Sequence, residues 1–157
     1  MRGALLVAAV AVLAGCSVGQ PSGFVARSND TCSTAAKVVD ALKAPHDPKA
    51  ALEYALDRYT AVEHAVSTLT DSSLPGGQAG RALRERWLRP ARASLRAGND
   101  ELGLLRDAVR HRDGAGTAAA FGSAATAGTA GVDTALLRAK GLTRCATLFT
   151  PAAPPVS

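Results

Sequence analysis

The chain has 157 residues, 47% of them hydrophobic and 20% charged, with a formal net charge of +5. That length suits one domain, able to bury roughly 68–70% of the surface its unfolded chain exposes. Aromatic residues make up only 4%, and isoleucine is absent. This argues against a strand-rich fold and for helices packed through Ala, Val and Leu.

Met1 and Arg2 make a short positive start, and residues 4–14 are apolar without interruption. A run of that length fits the ~7–15 residues of a secretory signal peptide and falls short of the ~20 needed to span a bilayer. No Arg-Arg pair is present, which favours general secretion over the twin-Arg route.

Leu13-Ala14-Gly15-Cys16 resembles the lipobox of bacterial lipoproteins, in which an apolar residue and two small ones precede a required Cys. The resemblance implies a diacylglyceryl group on the Cys16 thiol, cleavage between Gly15 and Cys16, and a further acyl chain such as palmitate. The alternative is an ordinary signal peptide in which Cys16 is incidental. Two acyl chains anchor stably, since each buried methylene contributes about 0.8 kcal/mol and one chain alone is marginal. The expected partition is a signal peptide over 1–15, a lipidated Cys16 with a flexible Gly/Pro/Ser-containing tether to residue 29, a helical domain over 30–149, and a disordered Pro-rich tail over 150–157. The expected location is the extracytoplasmic face of the cell membrane.

The helices follow in chain order. Asp30 caps a first helix over about 31–44, with Ala35, Val38, Val39 and Leu42 on one side and Pro45 as its stop. Asp47-Pro48 is a start signal, an N-cap followed by proline at the first helical position. The second helix, about 48–70, carries Leu52, Ala55, Leu56, Tyr59, Val62, Val66 and Leu69 at three- and four-residue steps. A third, about 78–112, has Leu83, Trp87, Ala91, Leu95, Leu102, Leu105 and Val109 on one stripe and a kink expected at Pro90. A fourth, about 117–148, has Phe121, Ala125, Gly128, Val132, Leu136, Ala139 and Leu142 at similar steps. Its Gly122, Gly128, Gly131 and Gly141 weaken it by about 1 kcal/mol each relative to Ala, explained either by close backbone approach or by compositional bias.

Four helices with short connections predict an all-α, up-down-up-down four-helix bundle. In that topology the start of the first helix and the end of the fourth lie together. With Cys16 lipidated, Cys32 and Cys145 are then expected to pair in an exported protein.

No recognised catalytic motif is present. Gly114-Ala115-Gly116-Thr117-Ala118-Ala119 fits the letters of a dinucleotide fingerprint, but that motif needs a preceding strand, and a charged helix end stands there instead. Glu53, Asp57 and His64 share a helix face as a candidate metal site. A carboxylate-bridged bundle centre would need a Glu-x-x-His pair on two helices, however, and the sequence has none. The expectation is therefore no enzyme, no catalytic residue, no metal and no cofactor.

The most distinctive polar feature is arginine. Arg81, Arg84, Arg86, Arg89, Arg92 and Arg96 crowd one segment with Glu85 as its only acid. At 100° per residue, Arg81, Arg89, Arg92 and Arg96 share an arc of about 80°, expected either as a plain solvated face or as a contact with anionic lipid or an acidic envelope polymer. Nucleic acid is not expected, because aromatic residues are not interleaved for base stacking. Gly141-Leu142-Thr143-Arg144-Cys145, taken with the early Cys and the lipobox, resembles the layout of small uncharacterised helical lipoproteins of actinobacteria. The expected function is binding or scaffolding by a lipid-anchored envelope protein whose protein partner the sequence does not name. The alternatives are a carrier holding a small ligand or metal in the bundle interior and an envelope hydrolase without a recognisable motif.

Overall fold

Residues 23–151 are described by a computed structural model, and every regular element among them is a helix. In order these are α1 (Gly23–Ala41), α2 (Pro48–Asp71), α3 (Gly77–Leu83), a π-helical turn (Arg84–Leu88), α4 (Arg89–Arg110), α5 (Gly114–Ala125), α6 (Thr134–Ala139) and α7 (Thr143–Leu148). The lipobox with Cys16, the signal segment and most of the Pro-rich tail lie outside the described residues.

Helix α2 starts where its sequence signal stands. The Asp47 carboxylate accepts the Ala50 N–H at 2.7 Å, and Pro48 occupies the first helical position. Asp113 does the same for α5 through the Gly116 N–H at 2.9 Å, so that helix begins at Gly114 and not near 117.

Helix α1 departs from expectation at its start. It begins at Gly23, so residues 23–29, expected within the tether, form its first turns. The reason is burial: Phe24 and Ser28 continue the inward face of Cys32 and Ala35 at four- and three-residue steps. Asn29 adds a long-range tie, its amide donating to the Gly141 carbonyl at 2.8 Å and accepting the Arg144 N–H at 3.1 Å. That bond satisfies one of the free N–H groups at the start of α7.

Pro90 is accommodated by a π turn, in which the Arg89 N–H bonds to the Arg84 carbonyl five residues back. Lacking an N–H, Pro90 leaves the Arg86 carbonyl without its helical donor. The Asp133 N–H takes that place at 2.9 Å. The Asp133 side chain also pairs with the Arg86 guanidinium and caps α6 through the Leu136 N–H at 2.8 Å. The proline thus becomes an attachment point for the loop before α6.

The expected fourth helix over 117–148 is broken into α5, α6 and α7. Gly128 at φ +87° and Gly141 at φ +76° turn the chain at the two breaks, a left-handed conformation open to glycine without penalty. A Cβ on Gly128 would also stand 2.6 Å from Val62 Cγ1. Three outside groups hold the loop that Gly128 opens. The Ser94 hydroxyl accepts the N–H groups of Gly128 and Ala130, Arg58 donates to the Ala127 carbonyl, and Arg86 engages Asp133.

Cys32 and Cys145 are bonded, with their Cα atoms 5.0 Å apart across a sequence separation of 113. Helix α1 packs on α2 and α7, α2 on α4 and α5, and α4 on α5. The interior divides in two. One cluster surrounds the disulfide, with Phe24, Leu69, Trp87 and Phe149; the other gathers Ala51, Ala55, Leu102, Leu105, Phe121 and Ala124.

Candidate anion-binding cleft

Four of the clustered arginines come together. Arg84, Arg89, Arg92 and Arg96 line a cleft of about 440 Å³ between the C-terminal end of α2 and the π turn with α4. Buried Leu88 and half-buried Leu74 contribute apolar wall, Thr70 and Ser72 come from the facing side, and Glu85 is the one acid among the lining residues.

The π turn explains which arginines gather. In a regular helix residues four apart are stacked, but across a π turn the partner is five residues on, so Arg84 stands over Arg89. The phase change brings Arg84 onto the face of Arg89, Arg92 and Arg96. Arg81 is exposed and does not line the cleft, whereas Arg84, placed outside the expected arc, belongs to it. Arg86 is spent on Asp133.

The cleft's donors are almost entirely guanidinium groups. The Thr70 hydroxyl donates to the Val66 carbonyl and the Ser72 hydroxyl to the Thr68 carbonyl, each at 2.8 Å. Their protons are thus already committed. None of the four arginines forms an ion pair with an acid of the described residues. Each guanidinium offers five N–H donors in a planar fork that matches carboxylate and phosphate oxygens.

The cleft continues along the α2–α4 seam. Arg92 and Arg96 also border a second depression of about 260 Å³ with Tyr59, Glu63 and Ser67. Burial, helped by the neighbouring Glu63 carboxylate, pushes the Tyr59 phenol above its ordinary value, so it keeps its proton at neutral pH. The two depressions share Arg92 and Arg96 between α2 and α4.

The other candidates do not assemble into sites. Gly114 to Ala119 form the first turns of α5 behind the Asp113 cap, without a preceding strand. Glu53, Asp57 and His64 do not close on one another, and among the described residues no group of three or more His, Cys, Asp or Glu is placed to hold a metal. Within the same residues no helix is long and apolar enough to cross a membrane.

No family model matches the chain, and neither a curated protein nor a solved structure shows significant similarity to it.

Proposed function

We propose that this protein is a lipid-anchored binding protein of the cell envelope that holds an anionic polymer in the Arg84/Arg89/Arg92/Arg96 cleft. It is tethered through Cys16 to the extracytoplasmic face of the membrane, and it acts by binding and not by catalysis. In this reading the helical body is an up-down-up-down four-helix bundle closed by the Cys32–Cys145 bond, with α5, α6 and α7 together taking the place of the fourth helix.

The observation that supports it is four arginines without acidic partners lining a single cleft. Clustered cations repel one another, and an anion held between them relieves that repulsion while using their forked donors. A cleft favours a linear polyanion over a flat headgroup surface, because a chain can enter between α2 and α4 where a bilayer cannot follow.

Inorganic polyphosphate is a suitable probe. It should bind with an affinity that falls steeply with salt, as the Debye length shrinks from about 10 Å at 0.1 M to about 3 Å at 1 M. Replacing Arg84, Arg89, Arg92 and Arg96 by Gln should abolish binding, while Arg106→Gln, on an exposed site elsewhere on α4, should leave it unchanged. Equal loss in both variants would reduce the effect to net charge. Tighter binding to phosphatidylglycerol vesicles than to polyphosphate would move the reading to the membrane surface. The anchor is tested separately, since Cys16→Ala should block lipid attachment and signal-peptide processing.

A further inference from the structure

Helix α2 turns a regular 4-3 seam toward the interior, with Ala51, Ala55, Arg58, Val62, Ala65 and Leu69 in sequence. One member is an arginine. Arg58 is only 2% exposed and lies along the helix between residues of the two hydrophobic clusters.

Its interactions in the fold are few. Nη1 donates to the Ala127 carbonyl at 3.3 Å, while Nε is buried without a hydrogen-bond partner. No carboxylate of the described residues forms an ion pair with it. A buried cation without a counter-charge is among the costlier arrangements a protein keeps. Burial disfavours its charged form, yet a guanidinium does not lose its proton in a protein at neutral pH. The charge therefore persists and lacks an anion.

Arg58 also lines a recess of about 420 Å³ at the junction of α1, α2, α6 and α7. That volume lies within the range of about 300–1,000 Å³ typical of small-molecule sites. Ala36, Val39 and Leu148 give it an apolar wall, and exposed Asp40 and Arg138 lie at its rim. It shares no lining residue with the arginine cleft.

We propose that this recess binds a small organic monocarboxylate, with its carboxylate paired to Arg58 and its apolar body against Ala36, Val39 and Leu148. The buried unpartnered arginine calls for an anion, and the apolar wall calls for a hydrocarbon portion. The rim charges of Asp40 and Arg138 offset each other, leaving Arg58 to be neutralised by one negative charge. A phosphate dianion would overcharge the recess and leave its wall uncovered. This site stands independently of the polyanion cleft.

The test is titration of the full chain with octanoate below its micellar concentration, and with octanol and inorganic phosphate as controls. Octanoate should bind saturably and shift the Arg58 Nε–H resonance. Octanol, which lacks the charge, should bind at least about tenfold more weakly, the loss expected when a hydrogen-bonded charge is left unpaired. Arg58→Met should erase the preference for octanoate over octanol. Should that variant fail to fold, Thr147→Phe serves instead, because Thr147 is an exposed lining residue where a larger side chain occludes the recess. It should weaken octanoate binding to a similar degree while leaving polyphosphate binding intact. Equal affinity for octanoate and octanol, phosphate binding as tight as octanoate, an unmoved Nε–H resonance, or full octanoate affinity in Thr147→Phe would each overturn the assignment.

Discussion

The two ends of the interior are built on different principles. Around the disulfide, distant parts of the chain converge: α1, the π turn and α7 bring together Phe24, Trp87 and Phe149, the last two rings edge-on with centroids 6.0 Å apart. At the other end alanines dominate, and Phe121 is the one large ring fully inside, tilted against half-buried Tyr54 at 5.9 Å. The first end is held by covalent closure and bulky side chains. The second packs alanines of α2 and α5 against Leu102 and Leu105 of α4, elements nearer to one another in the chain. The difference predicts unequal responses to mutation.

The largest response should follow loss of the disulfide. Cys32→Ala with Cys145→Ala opens a loop whose ends are 113 residues apart, for which the chain-entropy account gives about 4–5 kcal/mol. Denaturant unfolding with and without reductant measures it. Hydrogen exchange should show lost protection concentrated in α1 and α7, with α4 and α5 less affected; uniform loss would merge the two ends into one cooperative unit.

The aromatic anchors come next. Trp87→Ala and Phe121→Ala each remove a buried ring, at about 3–5 kcal/mol. Trp87→Phe sharpens the comparison. The indole Nε1–H is buried without a partner, so no hydrogen bond is lost and only the reduced volume counts. Its destabilisation in urea should fall well below that of Trp87→Ala, and near equality of the two would mean that the indole N–H matters after all.

Gly128→Ala should have a smaller effect, of about 1–3 kcal/mol from overpacking and left-handed backbone together. The new Cβ would press on Val62 and Leu95. Val62 follows Arg58 on the α2 seam, and so the same variant should also disturb the Ala127 carbonyl that Arg58 holds. Thermal unfolding alongside the Arg58 Nε–H resonance reads both consequences at once.

Much of this organisation is legible in the residues, and the exceptions have physical causes. Asp47-Pro48 announces α2 because its cap is local, and the cysteine pairing was expected from the placement of Cys32 near the first helix start and Cys145 near the last helix end. The early start of α1 is not legible: Gly23 and Ser28 argue for a tether until Phe24 has a core to enter. The break of the fourth helix was written in Gly128 and Gly141, but periodicity of apolar residues across them masked it. In the arginine segment, Pro90 was legible as a disturbance. The Arg86 carbonyl that Pro90 leaves free is taken by Asp133, 43 residues beyond the proline, a long-range partner that local sequence does not announce, so the π turn and the entry of Arg84 into the cleft could not be foreseen. Arg58 had a signal that the apolar stripe concealed, being the one charged residue in a 4-3 series otherwise of Ala, Val and Leu.

The smallest effect is a pH response that compares the two ends through their caps. Asp47 starts α2 beside the alanine-rich cluster, and Asp133 starts α6 beside the disulfide cluster. The Asp47 carboxyl is held below its ordinary value chiefly by the Ala50 N–H, and the Asp133 carboxyl chiefly by the Leu136 N–H with Arg86 adding to it. A carboxylate depressed in the folded state contributes stability above its unfolded value, near 3.9, and that contribution disappears as pH falls through the folded value. Neither cap should therefore affect stability between pH 5 and 8, and both should weaken the protein below about pH 4. Asp133→Asn keeps a capping oxygen but removes the charge and its pairing with Arg86, whereas Asp47→Asn removes no such long-range tie. The acid limb of a stability–pH curve should flatten in both variants. At pH 7, however, Asp133→Asn should lower stability more, and high salt should narrow the gap by screening the Arg86 pair in the parent. If the two variants match at pH 7 and low salt, the tie between the π turn and α6 rests on the Asp133 backbone alone.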